Sequence, residues 1–432
     1  MPSVARPRSQ ILAIAVFSLC ALFMLGYPRS PVLAESADRV LLGNGPQGYS
    51  DGLADFAVAS RGVMWGIGAS GTFVAGRILR GTNAGQSWTS VSPPGYAIGY
   101  GASVSVSGAA TVTFLRVRPC ADSACYAGWA YATDSATGGT TSGSILRTWD
   151  GGSAWARLPG AGLNPRAAWR RPPILQFVNA RDGWMMTYPC CKSGLIQMFD
   201  TTNGGLSWSL QTTMRPNVST GIVAVTTFRF ISAEDGWMSG VSMGRPWLAK
   251  TTDGGTTWSS VYLVPPKELG HGLMETGPVT LGDRGAGVVP VTFGVAHEAR
   301  VFSSGAYKPS GEYAPPGCPC EALYVTRNAG RAWAPTSVVT VHPATGSNPY
   351  GVLAEVLGGG VAWMFDGIHL WATDNYGTTW TLLSGQRLLA LQPVPALRFL
   401  NQRDGWGIDW GGVVYTIDGG RTWQTEHAFV RS

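Results

Sequence analysis

The stretch Thr251–Trp258, with the sequence TTDGGTTW, decides the fold, because the same pattern occurs six more times along the chain. We call each copy a box; it has the form Thr-x-Asp/Asn-x-Gly-x-Thr/Ser-Trp with a few lapses. Seven boxes define seven repeats, which we number 1 to 7 in chain order. The other boxes are Gly81–Trp88, Thr148–Trp155, Thr201–Trp208, Thr326–Trp333, Thr373–Trp380 and Thr416–Trp423.

Each box predicts a hairpin turn, because Asp or Asn followed by Gly is turn chemistry and short apolar runs lie on either side. We expect the Asp or Asn to accept hydrogen bonds from backbone N–H groups two or three residues further on. We expect the Gly at the fifth position to take a positive φ, and the tryptophan to begin the returning strand and cover the turn. The residues given this structural role are Asn83, Asp150, Asn203, Asp253, Asn328, Asn375 and Asp418.

A second motif, Phe-x4-Asp-Gly-Trp, precedes several boxes. It occurs at Phe177–Trp184, Phe230–Trp237 and Phe399–Trp406. It indicates an earlier hairpin in the repeat, so that each repeat contains four strands. With no helical periodicity, this pattern predicts an all-β protein, a single seven-bladed β-propeller of four-stranded antiparallel blades.

The boxes resemble the Asp-box repeat of bacterial neuraminidases. Their pairing with Phe-x4-Asp-Gly-Trp looks like the photosystem II stability/assembly factor-like family of secreted propellers, over residues 54 to 432. The resemblance implies a sialidase-superfamily fold whose functional face is the one opposite the boxes. The family is associated with an arginine-rich patch that docks a partner protein.

The N-terminus predicts export. Arg6 and Arg8 precede an apolar run of fifteen residues, Ile11–Leu25, and Ala34 is the small residue that a signal peptidase needs. The run is shorter than the ~20 residues of a membrane-spanning helix, although an uncleaved N-terminal anchor is the alternative. We therefore predict a signal peptide at 1–34, a linker at 35–53 and the propeller at 54–432, in a secreted or cell-envelope protein of a bacterium.

Charge argues against nucleic acid as a partner. Removal of residues 1–34 would lower the formal net charge from +6 to +3, whereas binding to DNA or RNA needs clustered excess positive charge. The five histidines never occur at metal-ligand spacing, and no phosphate loop or dinucleotide fingerprint is present. No cofactor and no metal site are therefore predicted.

Six cysteines remain after the predicted signal and form three close couples. An even count in an exported protein suggests disulfides. The first couple can close a small staple, whereas the other two would form strained rings, so cross-pairing or a thiolate metal site remain alternatives for them. The candidates are Cys120 with Cys125, Cys190 with Cys191, and Cys318 with Cys320.

Two long loops are candidate binding segments. The loop between repeats 2 and 3 carries three arginines around a tryptophan, which suits a carboxylate, a phosphate or an acidic protein surface. The insertion in repeat 5 is the longest in the chain. We predict that both form a partner-binding rim, the alternatives being arginines that lie over a blade interface and a loop without a binding role. The candidate residues are Arg166, Trp169, Arg170, Arg171, His297, Glu298 and Arg300.

Two functions remain. The first is an exported binding or assembly-factor-like module for a protein or glycan ligand on the loop face. The second is a glycoside hydrolase of the sialidase-like propeller type. The chain lacks an Arg-Ile-Pro or Arg-Leu-Pro signature near its N-terminus, and other glycosidase chemistry needs two carboxylates at a suitable separation. No catalytic residue is assigned.

Overall fold

The chain is all-β in a computed structural model, as the sequence predicts. The structure describes residues 43–44, 53–68, 76–98, 102–119, 121–134, 143–163, 172–188, 195–216, 221–267, 269, 272–281, 286–293, 320–340, 353–365, 369–383, 397–409, 412–428 and 430–431. The chain divides into two compact units, Met1–Val32 and Leu33–Ser432, and all described residues lie in the second. None of them belongs to a helix that is long and apolar enough to cross a membrane.

The first three repeats form three sheets that follow the short strand β1 (Gly43–Asn44). Repeat 1 is an antiparallel meander in the order β2-β3-β4-β5, and repeat 3 is one in the order β12-β13-β14-β15. Repeat 2 has the order β11-β10-β9-β8-β7, with β6 paired to β9. The strands are β2 (Leu53–Ser60), β3 (Val63–Gly68), β4 (Arg77–Thr82), β5 (Ser87–Ser90), β6 (Tyr96–Ala97), β7 (Val104–Val106), β8 (Val112–Arg116), β9 (Tyr126–Asp134), β10 (Gly143–Thr148), β11 (Ala156–Arg157), β12 (Ile174–Phe177), β13 (Gly183–Thr187), β14 (Ile196–Thr201) and β15 (Ser209–Met214).

Repeats 4 and 5 share one nine-stranded sheet. Its main path is β19-β18-β17-β20-β22-β23-β24, with β16 paired to β17 and β21 paired to β22. The two repeats are joined because β17 pairs with β18 along its first half and with β20 along its second half. The strands are β16 (Ile222–Phe230), β17 (Gly236–Met243), β18 (Trp247–Thr251), β19 (Ser259–Tyr262), β20 (Leu273–Thr276), β21 (Thr280–Leu281), β22 (Gly287–Phe293), β23 (Cys320–Thr326) and β24 (Ala334–Thr340).

Repeats 6 and 7 return to simple four-stranded antiparallel meanders, β25-β26-β27-β28 and β29-β30-β31-β32. A last strand, β33, pairs in parallel with β1 and so ties the end of the chain to its beginning. The strands are β25 (Leu353–Val356), β26 (Ala362–Phe365), β27 (Leu370–Thr373), β28 (Thr381–Leu383), β29 (Leu397–Phe399), β30 (Gly405–Asp409), β31 (Gly412–Thr416), β32 (Gln424–Ala428) and β33 (Val430–Arg431).

The boxes form tight turns whose geometry differs in one respect from the expectation. In the box of repeat 4, Asp253 Oδ1 accepts a hydrogen bond from the N–H of Thr257, four residues further on rather than two or three. The buried Thr251 hydroxyl donates to Asp253 Oδ1 at 2.8 Å and accepts from the N–H of Gly255 at 2.9 Å. Gly255 has φ +98°. The first-position threonine therefore organises the turn as much as the carboxylate does.

The tryptophan of the second strand joins a repeat to the next one. Its Nε1–H donates to the carbonyl oxygen of the fourth box residue in the following repeat, and in four cases its ring stacks on the first-strand phenylalanine of that repeat. The bonds are Trp65 to Gly151, Trp129 to Gly204, Trp184 to Gly254, Trp363 to Gly419 and Trp406 to Ala84. The stacked pairs are Trp65 with Phe114, Trp129 with Phe177, Trp184 with Phe230 and Trp363 with Phe399.

The last repeat contacts the first. Trp406 of repeat 7 donates to Ala84 O of repeat 1 at 2.9 Å, and Asp404 forms an ion pair with Arg61. Buried apolar side chains also join these two repeats, since Phe56 of repeat 1 packs in one cluster with Trp406 of repeat 7. The core therefore lies between neighbouring repeats, and the series of sheets closes on itself.

Candidate functional site

A cavity of about 360 Å³ lies where the first strands of several repeats meet. Its walls contain four charged side chains among apolar, hydroxyl-bearing and small residues. They come from repeats 1, 2, 4, 5, 6 and 7, and β7, the extra inner strand of repeat 2, forms one side. The lining residues are Asp55, Ala57, Val58, Ser103, Val104, Ser105, Val106, Gly108, Ala109, Ala110, Thr227, Phe228, Arg229, Pro278, Thr280, Pro290, Glu355, Val356, Arg398 and Phe399.

One register position supplies three of the four charges. It is the first-strand residue that pairs with the second-strand tryptophan, as Arg229 does with Trp237, Glu355 with Trp363 and Arg398 with Trp406. In repeat 1 this position is Ala57. The charge is on Asp55, two residues earlier and thus on the same side of the strand.

Arg398 bridges the two carboxylates of the cavity. Its Nη2 lies 3.1 Å from Asp55 Oδ1, and its Nη1 lies 3.9 Å from Glu355 Oε2. Asp55 also accepts hydrogen bonds at 2.9 Å from the N–H groups of Phe56 and Val104. Glu355 Oε1 accepts a longer bond, 3.4 Å, from the N–H of Phe399. The cluster thus ties repeats 6, 7, 1 and 2 together at the cavity wall.

Burial and charge pull the pKa values of this cluster in opposite directions. Desolvation raises the pKa of Asp55 and of Glu355 above their ordinary values, even though Arg398 opposes the rise in both. Desolvation disfavours charge on Arg398 as well, but Asp55 and Glu355 together raise its pKa. Arg398 is therefore a fixed cation between two acids that burial favours in the neutral form.

The fourth charge, Arg229, differs from the other residues at its register position. Gln176 in repeat 3 binds the main chain of Phe230, accepting from its N–H at 2.8 Å and donating to its carbonyl at 2.9 Å. Glu355 and Arg398 have the partners described above. No hydrogen bond or ion pair joins Arg229 to another described residue, and desolvation alone lowers its pKa.

The predicted rim lies outside the described residues. Arg166, Trp169, Arg170 and Arg171 are in the undescribed segment 164–171, and His297, Glu298 and Arg300 are in 294–319. Their binding role stays a prediction. An Arg-Leu-Pro sequence does occur at 157–159, but Arg157 is exposed on β11 and does not line the cavity.

Cysteine and metal chemistry are described only in part. Cys125 is disulfide-bonded, while its predicted partner Cys120 and Cys190, Cys191 and Cys318 lie outside the described residues. Cys320 is the first residue of β23. Within the described part of the chain, no three His, Cys, Asp or Glu side chains come together as a metal site.

The cavity charges escaped the sequence analysis although the repeat contains a signal for them. Arg229 and Arg398 directly precede the phenylalanines that mark the first strand, as Asp55 precedes Phe56. Because side chains alternate along a strand, a residue next to a buried phenylalanine faces the other way. Aligning repeats 4 and 7 on that phenylalanine would have paired Arg229 with Arg398. Asp55 lies two residues before the equivalent position in repeat 1, and Glu355 precedes a valine, so the alignment does not bring in these two acids.

No family model matches the chain, and no curated protein matches its sequence. Solved structures that resemble it include YCF48 from Cyanidioschyzon merolae, at 13% identity and a TM-score of 0.48, over 90% of this chain and 99% of that one. YCF48 bound to D1 peptide has 15% identity and a TM-score of 0.40, over 91% and 87%. The GH74 xyloglucanase from Xanthomonas campestris has 14% identity and a TM-score of 0.44, over 86% of this chain and 60% of the enzyme. Structures of YCF48 and of a GH74 xyloglucanase are thus among those that the chain resembles.

Proposed function

We propose that this chain is an exported, seven-bladed β-propeller that binds a protein or glycan partner and catalyses no reaction. The observation that carries the functional part is the state of the two cavity acids. Asp55 is held by Arg398 and two backbone N–H groups, and Glu355 lies between Arg398 and the N–H of Phe399. Carboxylates held in this way join neighbouring repeats, and neither is left free to attack or protonate a substrate.

The seven-bladed assignment is supported by the one-to-one relation between boxes and hairpins. Repeats 1, 3, 6 and 7 are each a four-stranded meander. The nine-stranded sheet contains two box hairpins, β18 with β19 and β23 with β24, and thus corresponds to two blades. Contact between the first and last repeats supports closure into one ring without a free sheet edge.

The partner surface would be the rim formed by the segments 166–171 and 297–320, opposite the boxes. The support is chemical, since three arginines beside Trp169 suit an acidic or carboxylate-bearing surface. Export is supported by the N-terminal pattern of Arg6, Arg8 and the apolar run, and by the disulfide at Cys125.

A glycoside hydrolase is the second candidate, because one observation favours it. Asp55 and Glu355 lie in the same cavity and both have raised pKa values. An acid with a raised pKa beside a second carboxylate is the arrangement that glycoside hydrolysis uses. It would require Arg398 to release at least one of the two carboxylates when substrate binds.

The test separates binding from turnover. The chain without residues 1–34 is used to capture partners from the native cell envelope, and each captured candidate is then purified and titrated directly. Changing Arg166, Arg170 and Arg171 together to Glu should weaken the direct titration in a salt-dependent way at an unchanged melting temperature. Retained affinity with a lower melting temperature would remove the rim from the proposal.

Hydrolysis is assayed in parallel with a panel of aryl glycosides and plant and bacterial polysaccharides. We expect no turnover above that of the unfolded protein. Turnover that disappears in Glu355→Gln, while the melting temperature stays within a few degrees of the parent, would establish the hydrolase instead.

A further inference from the structure

Arg229 lies in the cavity wall without a counter-ion among the described residues. The partners at the neighbouring positions are a main-chain N–H and carbonyl for Gln176 and two carboxylates for Arg398. On the next repeat, the wall beside Arg229 includes Pro278, Thr280 and Pro290. Prolines have no N–H, and none of these three residues carries a negative charge, so this part of the cavity wall offers a guanidinium no ionic partner.

The missing partner has a direct physical consequence. A guanidinium that is largely removed from water without a counter-charge destabilises the folded chain, and the lowered pKa of Arg229 reflects the same desolvation. The carboxylates of Asp55 and Glu355 do not relieve it, because Arg398 lies between them. An anion that enters the cavity would therefore gain an ion pair for which the protein has already lost the hydration energy.

The charge of the site limits which anion fits. Among the described lining residues, one guanidinium has no counter-charge, and two acids line the same cavity. A dianion such as phosphate would leave one negative charge unpaired and close to those acids. A carboxylate has a single charge, and its two oxygens match the planar fork of arginine. A cavity of about 360 Å³ is at the small end of the range for organic ligands.

We propose that the central cavity binds the carboxylate of a small organic acid or of a chain end, with Arg229 as the anchoring residue. The side chains of Ser105, Thr227 and Thr280 line the same cavity and supply hydroxyl groups for the rest of the ligand. Gly108 lies beside Arg229, and a Cβ at this position would collide with Ser105 Oγ and touch Arg229 Nη1 at 3.7 Å, so glycine leaves room at this point of the wall. No rim residue is among the described residues that line the cavity, and the proposal holds whether or not the rim binds a partner.

The test uses two matched pairs of probes and isothermal titration. N-acetylglycine is compared with N-acetylglycinamide, and glucuronate with glucose, so that each pair differs mainly in the carboxylate. We expect the acids to bind the wild-type chain at least about tenfold more tightly than their neutral partners, and Arg229→Gln to abolish the difference. Whichever acid binds more tightly identifies the source of the carboxylate as a peptide end or a sugar acid.

Control variants keep the result decisive. Arg157→Gln removes an exposed arginine outside the cavity and should bind the probes like the wild type. Arg229→Gln and Arg229→Met should melt at the wild-type temperature or above, because they remove an uncompensated charge. Earlier melting of both would mean that Arg229 already has a partner in the folded chain and would overturn the proposal.

Three binding results would also overturn it. These are the absence of acid binding to the wild type, equal binding by Arg229→Gln, and tighter binding of inorganic phosphate than of either acid. A failure of this site would leave capture at the rim unaffected, so the two proposals fail separately.

Discussion

Neighbouring repeats are joined in two different ways. We call each such contact between neighbouring repeats a seam, and we compare the seam between repeats 3 and 4 with the seam between repeats 4 and 5. At the first, Trp184 Nε1 donates to Gly254 O at 2.8 Å and the indole stacks on Phe230 with ring centroids 3.7 Å apart. At the second, the buried Nε1 of Trp237 has no hydrogen-bond partner among the described residues. Strands β17 and β20 pair through their backbones instead.

The two seams differ because repeat 5 lacks the second-strand tryptophan that the other repeats have. Repeat 5 has Val288 opposite Thr280, where other repeats have the second-strand tryptophan. The irregular repeat is thus joined to repeat 4 by a strand ladder, and at the same contact Arg229 has no hydrogen bond or ion pair to another described residue. Departures from a repeated local pattern are where functional sites are expected. The regular contacts join neighbouring repeats, and the irregular one borders the cavity of the proposed ligand site.

The largest loss of stability is expected at Arg398, which links the last repeat to the first and to repeat 6 at the cavity wall. Arg398→Gln leaves Asp55 and Glu355 without their shared cation, and we expect the free energy of unfolding to fall by about 2–4 kcal/mol. Arg61→Gln removes the other ion pair between repeats 7 and 1, but the Arg61 side chain is 57% exposed, so we expect a loss below about 1 kcal/mol. Urea denaturation of both variants measures the difference, and equal losses would contradict the role given to the cavity cluster.

A smaller effect is expected at the register position that distinguishes the two seams. Gln176→Ala leaves the buried N–H and C=O of Phe230 without their side-chain partner, which costs about 2–3 kcal/mol of unfolding free energy. Thr280 has the same register position in repeat 5, and its side chain forms no such bond to another described residue, so Thr280→Ala should cost less than about 1 kcal/mol. The same denaturation experiment compares them, and a larger loss for Thr280→Ala would reverse the assignment of the seams.

The smallest effect concerns the box carboxylates and appears only in acid. Hydrogen bonds from the hydroxyl and N–H of Thr257 lower the pKa of Asp253 to about 2. In Asp418, partial burial opposes the shift, but bonds from Thr422 outweigh it and the pKa is also about 2. Their contribution is therefore complete above pH 4 and is lost as the pH falls towards 2.

The cavity acids Asp55 and Glu355 have raised pKa values. Their contribution to stability therefore changes with pH in the opposite direction to that of the box carboxylates. Their contribution to stability is greatest below the unfolded pKa and is lost as the pH rises through the folded one.

The prediction for the box carboxylates is tested with the double variant Asp253→Asn, Asp418→Asn. Its melting temperature should fall less steeply between pH 5 and 2 than that of the wild type. An unchanged acid slope would mean that the box hydrogen bonds do not stabilise the ionised carboxylates.

Turn positions could be predicted from the sequence because box chemistry is local. Asp253, Gly255 and the tryptophan lie within a few residues of each other, and their spacing is enough to place a hairpin. The hydroxyl of Thr251 was missed because its role depends on a bond across the turn to the N–H of Gly255. The strand pattern likewise predicted the all-β fold.

The cavity could not be predicted in the same way. Asp55 and Arg398 are separated by 343 positions and meet only because the last repeat contacts the first. Nothing in the local sequence of Arg229 distinguishes it from Arg398, since each precedes a phenylalanine of the first strand. The difference lies in the cavity wall beside each arginine: two carboxylates pair with Arg398, whereas Pro278, Thr280 and Pro290 lie beside Arg229, which has no ionic partner among the residues that the structure describes.

The most direct measurement compares the unfolding free energies of Trp184→Phe and Trp237→Phe. Both changes replace a buried second-strand indole by a smaller ring, which can still stack on Phe230 in the first case, but only Trp184 has an indole hydrogen bond to a described residue to lose. We predict that Trp184→Phe is less stable than Trp237→Phe by about 1 kcal/mol. Equal losses, or a larger loss for Trp237→Phe, would contradict the claim that repeats 3 and 4 are joined by the indole and repeats 4 and 5 by the backbone.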